Sequence, residues 1–345
     1  MTQLETPTPN RAAPRADRFP AAFSAAFSAA FSDAFPATAQ LSPPLPSYEV
    51  TGPPAAPLVV ALGGISASRH VTSTVDDTSD GWWQDLVGEG RAIDTNVYRV
   101  LSLDYIDGGS TKDGQPAALV STHDQADALA RVLDTLRIER IHAIVGASYG
   151  GMVALAFAER FPDRVGRLIV ISAPHETHPM STALRTIQRR IVTLGVETDR
   201  AHDALVLARA LAMTTYRSAH EFAQRFASAP ETTTDAGATF PIENYLIHNG
   251  EKFARRWSAS RFLALSLSAD LHRVAPERIR TPSVLVSIDG DTIVPGEQMR
   301  QLAATIGGPT RLVRLQATTG HDAFLAEPDL IGPILHNSLH AEVLS

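Results

Sequence analysis

The chain has 345 residues, 44% of them hydrophobic and 19% charged, with a formal net charge of −7. That is enough apolar sequence for one large α/β domain or for a core carrying an insertion, and the acidic balance excludes a nucleic-acid binder, which needs a basic face. The absence of cysteine excludes disulfides, thiolate metal sites and a cysteine nucleophile, and no apolar run approaches the roughly 18 residues of a membrane span.

Residues 1–45 are rich in Ala, Pro, Ser and Phe, with Phe19, Phe23, Phe27, Phe31 and Phe35 at intervals of four. A helix would gather these rings into a slowly drifting stripe. Few Lys or Arg flank it, which argues against a membrane-surface helix. Glu5 precedes any apolar stretch, which argues against a signal peptide. A low-complexity, disordered extension is expected.

Folding proper is expected to begin near Ser47. Leu58–Leu62 reads as a buried strand ending at Gly63-Gly64, and Val97–Leu103 as another; Asp124–Leu136 has helical spacing. Ile141–Val145, Val165–Ile171, Thr281–Ile288 and Arg311–Leu315 are further apolar, β-branched strand candidates. Strands alternating with helices predict an α/β fold with a mostly parallel, doubly wound sheet. From 175 to 272 the pattern is largely helical, at Ala183–Leu194, Asp203–Thr214, Ser218–Phe226 and Ile242–Asn249. The expected organisation is a core of residues 46–174 and 273–345, with residues 175–272 forming a helical cap over the site.

Gly146-Ala147-Ser148-Tyr149-Gly150 carries most of the chemical information. It reads G-x-S-x-G between a strand and the helical run Gly151–Phe161, the context in which a serine hydroxyl is exposed on a strained turn. Glycines permit the close backbone approach there, and the helix N-terminus offers free amides to a developing oxyanion. A nucleophilic serine needs a base and the base an orienting acid, in the chain order Ser, Asp or Glu, His for the α/β-hydrolase fold. His321, in Thr319-Gly320-His321-Asp322-Ala323-Phe324, follows the last strand candidate and supplies the base. Asp289 and Asp291 both follow the strand before it. Asp291 is favoured because it stands four residues before Pro295, a spacing found in many enzymes of this fold; Asp289-Gly290 suits a turn.

Other stretches widen the likeness. Gly81-Trp82-Trp83-Gln84-Asp85-Leu86-Val87-Gly88-Glu89-Gly90, Asp107-Gly108-Gly109-Ser110-Thr111, Gly150-Gly151-Met152, Leu207-Ala208-Arg209, Thr215-Tyr216-Arg217-Ser218 and Gly250-Glu251-Lys252-Phe253 are all similar to segments of one family, as is the His321 motif. Across roughly residues 58–335 the chain resembles the homoserine O-acyltransferases, α/β-hydrolase-fold enzymes that acylate the homoserine hydroxyl from acetyl-CoA or succinyl-CoA in methionine biosynthesis.

The resemblance implies Ser148 as nucleophile, Asp291 as acid and His321 as base. It implies Arg209 for the homoserine carboxylate, Asp322 for its ammonium group, and an oxyanion hole from the Tyr149 amide with that of Leu62 or Gly63. Acyl-CoA would be a cosubstrate, with no permanently bound cofactor and no metal. In the family the residue two after the acid bears on the donor, and succinyl users often carry Arg there. Here it is Ile293, which favours acetyl-CoA unless Arg69 or another cap arginine supplies the cation. Trp82-Trp83 suits either water exclusion or ordinary core packing. Serine O-acylation, ester or thioester hydrolysis and a non-catalytic binding module are the competing readings. The expected partners are small-molecule substrates, with no nucleic acid and no membrane, in a cytoplasmic homodimer.

Overall fold

A computed structural model of the chain describes residues 45–340. Residues 1–44, with the phenylalanine repeat, and 341–345 lie outside the described residues. The strands are β1 (Tyr48–Thr51), β2 (Leu58–Leu62), β3 (Val87–Gly88), β4 (Ile93–Asp94), β5 (Arg99–Leu103), β6 (Ala143–Ala147), β7 (Leu168–Ile171), β8 (Thr232–Thr234), β9 (Gly237–Thr239), β10 (Ser283–Asp289) and β11 (Thr310–Gln316). Seven of them form the main sheet in the order β1-β5-β2-β6-β7-β10-β11, parallel except for β1 at one edge.

The β-branched runs form this sheet because both faces are covered. Along β2, Leu58, Val60 and Leu62 join one apolar cluster while Val59 and Ala61 join the other. A two-sided burial of this kind makes parallel strands read as continuous apolar runs instead of alternating ones. Helices α1 (Thr122–Thr135) and α2 (Tyr149–Arg160) pack on the first face through Leu129, Val132, Val153 and Phe157. Ser121 and Asp124 cap α1 reciprocally, each side chain bonding the other's backbone amide. Between β7 and β10 the chain leaves the sheet for α3 (Pro179–Glu197), α4 (Ala201–Tyr216), α5 (Ala219–Arg225), α6 (Pro241–Ala254) and α7 (Ala259–Asp270). It then returns for α8 (Gly296–Thr305), α9 (Ala323–Ala326) and α10 (Pro328–His340), which covers the second face with Ile331, Leu335 and Leu339.

Two elements of the helical segment differ from expectation. Helix α7 has no periodic signal in the sequence because it is buried almost all round, from Phe262 to Ala269, and so carries no amphipathic stripe. The β8–β9 hairpin has no such signal either, because its strands are three residues each and exposed, with no apolar alternation to mark them.

The helical segment departs and returns at one point. The Val274 amide donates to the His175 carbonyl at 3.0 Å, Arg273 pairs with Glu176 at 2.7 Å, and Thr177 donates to the Ala269 carbonyl at 2.6 Å. Beneath this clasp lies buried His272. The Pro174 carbonyl, 3.0 Å from Nε2, can only accept, so Nε2 carries the proton and Nδ1 accepts from the Thr122 hydroxyl at 2.8 Å. Burial pushes the His272 pKa down to about 3, so the ring stays neutral.

The unfolded chain therefore binds a proton at His272 below pH 6.5 that the folded chain refuses until about pH 3. Across that window this residue contributes a stability loss of about 1.4 kcal/mol per pH unit of acidification. Urea titrations at pH 7.5, 6.0 and 5.0 should show His272→Leu less stable at pH 7.5, through the lost hydrogen bonds, but with a flatter pH dependence than the wild type. Parallel pH profiles for the two proteins would remove His272 as the acid-sensitive group.

Candidate active site

The parallel strands all point their carboxyl ends at one edge of the sheet, the edge where open α/β folds bind ligands. Ser148 follows β6, Asp291 follows β10 and His321 follows β11. Ser148 takes φ 53° and ψ −122°, a left-handed backbone that side-chain-bearing residues rarely adopt. Its amide donates to the Ile171 carbonyl and the Gly150 amide to the Gly63 carbonyl, both at 2.9 Å. A Cβ at Gly146 would lie 2.3 Å from the Gly150 carbonyl, and one at Gly150 2.3 Å from that of Leu62. Only glycine fits at either position, so these two residues set the turn that lifts the hydroxyl out of the sheet.

Ser148 Oγ is 2.8 Å from His321 Nε2, and His321 Nδ1 is 2.7 Å from Asp291 Oδ2. The other Asp291 oxygen accepts from the amides of Ile293 and Val294 at 2.8 and 2.9 Å. The carboxylate is thus fixed at both oxygens, and with it the imidazole. Asp289 points away and pairs with Arg314 at 3.0 Å. Burial alone would lower the His321 pKa, but the charge and hydrogen bond of Asp291 outweigh it and hold the ring above its ordinary value. Glu327 braces the loop before His321. Its Oε1 accepts from the Thr318 and Thr319 amides at 2.8 and 2.7 Å and from the Thr319 hydroxyl at 2.7 Å.

Helical-segment residues close the site. Ser181 of α3 donates to the Ile293 carbonyl at 2.8 Å, Thr292 to that of Thr215 at 3.0 Å, and the Ser218 amide to that of Thr319 at 3.2 Å. Tyr216 stacks on the His321 ring with centroids 6.0 Å apart, and Phe324 meets it edge-on at 6.2 Å.

Ser148, His321, Tyr216 and Ile65 line two pockets in common. The first, about 550 Å³ including space open to solvent, adds Met152, Ser181, Leu184, Arg185, Gln188 and Ile293 among its walls. The second, about 530 Å³ counted in the same way, brings Arg209, Asp322 and Trp82 beside the serine. Arg209 lies between the rings of Tyr216 and Phe253, at 5.3 and 5.2 Å from their centroids. Asp322 lies 3.1 Å from Arg217 Nε, although that nitrogen is not aligned to donate a hydrogen bond. Burial raises the Asp322 pKa against the opposing charge of Arg217.

The remaining expected residues divide. The Tyr149 amide is the first of α2 and has no intrahelical carbonyl to bond. Leu62 is the last residue of β2, and Gly63 starts the adjoining turn, pinned through its carbonyl by Gly150 and by the Tyr105 hydroxyl at 2.7 Å. Trp83 is core, its indole donating to the Phe324 carbonyl at 2.8 Å, whereas Trp82 stacks on it and lines the second pocket. Arg69 pairs with Asp104 at 2.6 Å and lines neither pocket; Ile293 shares the first pocket with Arg185 instead. Sequence reasoning assigned no role to Tyr216, Glu327, Arg185 or Gln188. Tyr216 sat inside a family-like stretch; the other three carry no motif.

The model for the α/β hydrolase fold matches residues 57–328. A homoserine O-succinyltransferase of Xanthomonas campestris pv. campestris is 40% identical over 292 residues, covering 85% of this chain and 78% of that protein. The chain belongs to the homoserine O-acyltransferase family. A homoserine O-acetyltransferase of Thermus thermophilus is 33% identical and covers 80% of each chain. The crystal structure of homoserine O-acetyltransferase from Bacillus anthracis superposes with a TM-score of 0.76 at 18% identity, over 86% of this chain and 92% of that one, a likeness of fold. The enzyme is thus an acyltransferase on an α/β-hydrolase framework. Among the described residues no helix is long and apolar enough to cross a membrane.

Only neutral His321 can take a proton from Ser148. Because its pKa is raised above 6.5, labelling of Ser148 by a fluorophosphonate should decline on the acid side with an apparent pKa above that value. Asp291→Asn removes the raising charge and leaves burial, so this limb should move to lower pH while the rate falls about 10²–10⁴-fold. Asp289→Asn, at an exposed ion pair, should stay within about threefold of wild type. A larger loss for Asp289→Asn than for Asp291→Asn would reassign the acid.

Proposed function

We propose that the enzyme transfers an acyl group from acyl-CoA to the hydroxyl of L-homoserine through an acyl-enzyme on Ser148. The observation that carries this reading is the presence of one cation, Arg209, and one anion, Asp322, in the pocket that contains Ser148 and His321. A zwitterionic amino acid needs both charges, and a water molecule in simple hydrolysis needs neither. The names of the relatives support the same acceptor and acyl chemistry.

In the first half-reaction His321 Nε2 takes the Ser148 hydroxyl proton as Oγ attacks the thioester carbonyl. The Tyr149 amide and one from the Leu62–Gly63 turn stabilise the oxyanion. The C–S bond breaks, and the thiol of CoA leaves with the proton from His321. In the second, His321 takes the homoserine hydroxyl proton, that oxygen attacks the acyl carbon, and Ser148 Oγ leaves and regains the proton. Asp291 holds the imidazole in the required tautomer throughout and stabilises it when charged. Arg209 offers a guanidinium fork to the acceptor carboxylate, and Asp322 takes the ammonium group. Tyr216 and Trp82 restrict water beside the acyl-enzyme. An acceptor of this size and a CoA donor fit a cytoplasmic enzyme.

Intact-protein mass spectrometry should show one acyl group on the wild type with donor alone and its removal on adding homoserine, with serine a poorer acceptor. Arg209→Ala should load normally but discharge to homoserine more slowly, by the equivalent of about 2–5 kcal/mol. Slow loading with normal discharge would move Arg209 to the donor. Discharge at the same rate with and without homoserine would make the protein a hydrolase.

A further inference from the structure

Resting on the acyl-transfer reading, we propose that Tyr105 and the side chain of Tyr149 are positioning residues for the oxyanion hole. Their two buried hydroxyls hold the turn at Gly63 and the first turn of α2 at the separation that a tetrahedral oxyanion requires. Each acts through the backbone beside Ser148.

The turn after β2 needs a brace from outside. Gly63 has no room for a side chain: a Cβ there would lie 2.6 Å from that of Ala67 and 2.8 Å from the Trp82 ring. Glycine leaves the backbone its full torsional freedom, at a place where an amide has to keep its aim within about 0.5 Å. The Gly63 carbonyl supplies the missing restraint. It accepts from the Gly150 amide at 2.9 Å and from the Tyr105 hydroxyl at 2.7 Å, so the residue is held from two sides. Tyr105 is buried, and burial lifts its pKa well above the ordinary phenol value, so the hydroxyl keeps its proton and donates it. Its own backbone is clamped. Asp104 pairs with Arg69, Arg261 donates to the Tyr105 carbonyl at 3.0 Å, and the Gln125 amide brackets Ile106, accepting from its N–H at 3.0 Å and donating to its carbonyl at 2.7 Å.

The same glutamine reaches the other half of the hole. Its Nε2 also donates to the Tyr149 hydroxyl at 3.2 Å, and that hydroxyl shares a hydrogen bond with Ser268 Oγ of α7 at 2.7 Å. Gln125, Ser268 and both tyrosines are buried, and the two rings meet edge to face with centroids 4.8 Å apart. The bonds therefore run from Ser268 through Tyr149 and Gln125 to Ile106, and from the adjoining Tyr105 to Gly63 and Gly150. They tie the residues beside Ser148 to α1, α7 and the end of β5. Phenylalanine would fill either site with the same ring; only the hydroxyls can make these bonds. Donors fixed in advance stabilise an oxyanion without reorganising. Arg209 and Asp322 take no part in the network. Both half-reactions pass through an oxyanion at this one place, so loosening it must slow both by the same factor, unlike a change at Arg209.

The test follows loading of Ser148 from acetyl-CoA or succinyl-CoA and its discharge to homoserine, by rapid-quench mass spectrometry, for wild type, Tyr105→Phe and Tyr149→Phe. Gly63 keeps its bond from Gly150 in the first variant, and Gln125 keeps Ile106 in the second. Thermal midpoints check that the variants fold, and fluorophosphonate titration counts competent sites. Per competent site, each variant should slow saturated loading and saturated discharge by matching factors of about 10, less than the roughly 10²–10³ of an oxyanion donor lost outright, with half-saturating concentrations within about twofold. A trifluoromethyl ketone, whose adduct with Ser148 is itself an oxyanion, should bind each variant about 10-fold more weakly. Unchanged rates in Tyr105→Phe, a loss confined to one half-reaction, or a loss carried by half-saturation overturns the assignment while leaving acyl transfer intact. If Tyr105→Phe does not fold, Tyr149→Phe, on a different element, decides by the same comparison. An enzyme that loads from neither thioester overturns the acyl-transfer reading; the ketone then decides the network by itself, and equal affinities for wild type and variants overturn it.

Discussion

The backbone of Ser148 is the constraint on which the site depends. A left-handed residue without glycine's freedom costs on the order of 1–3 kcal/mol, and the sheet holds it there. Its amide is tied to β7, the next amide but one to the turn after β2, and the two glycines beside it leave no room for the chain to relax. With the hydroxyl fixed, the base must arrive from the neighbouring strand ends, and the register of β10 against β11 brings Asp291 and His321 there together.

Charge is distributed around this point with unusual economy. The base and its acid are sealed by aromatic rings and backbone amides, while the groups suited to recognition stand farther out on the helices and on the residue after the base. Arg209 is packed between two rings and Arg185 leans on a shared carboxylate. The ring faces that hold Arg209 do not use its donors, whereas Arg185 is already ion-paired with buried Asp270. Asp322 differs, because Arg217 already lies within pairing distance of it.

What the sequence says of the site is carried by local signals. Glycine spacing around Ser148, the strand before it and the helix after it are contiguous, so one stretch specifies both the geometry and the chemistry. Asp291 and His321 were legible because chain order and a loop after a strand are also local properties. Six of the seven strands of the main sheet followed from apolar β-branched runs, with ends displaced by at most three residues; edge strand β1, half-buried throughout, did not. Arg185 was not legible. On α3, with Arg189 and Arg190 nearby, nothing in the spacing says which arginine faces inward; that is decided by Asp270, on a helix whose even burial hid it from periodicity. Glu327 was missed for a similar reason, since its partners are backbone amides of a preceding loop.

The clasp between residues 174–177 and 269–274 has a consequence for how such a protein can change. Because the helical segment leaves and rejoins the sheet within hydrogen-bond distance, the entropy of closing that loop is largely independent of what lies inside it. Helices can be lengthened, trimmed or exchanged there while β7 and β10 keep their pairing and Ser148, Asp291 and His321 keep their distances. The segment behaves as a cassette: the sheet fixes Ser148, Asp291 and His321, while α3 and α4, which supply walls of the two pockets, belong to an interchangeable stretch of sequence.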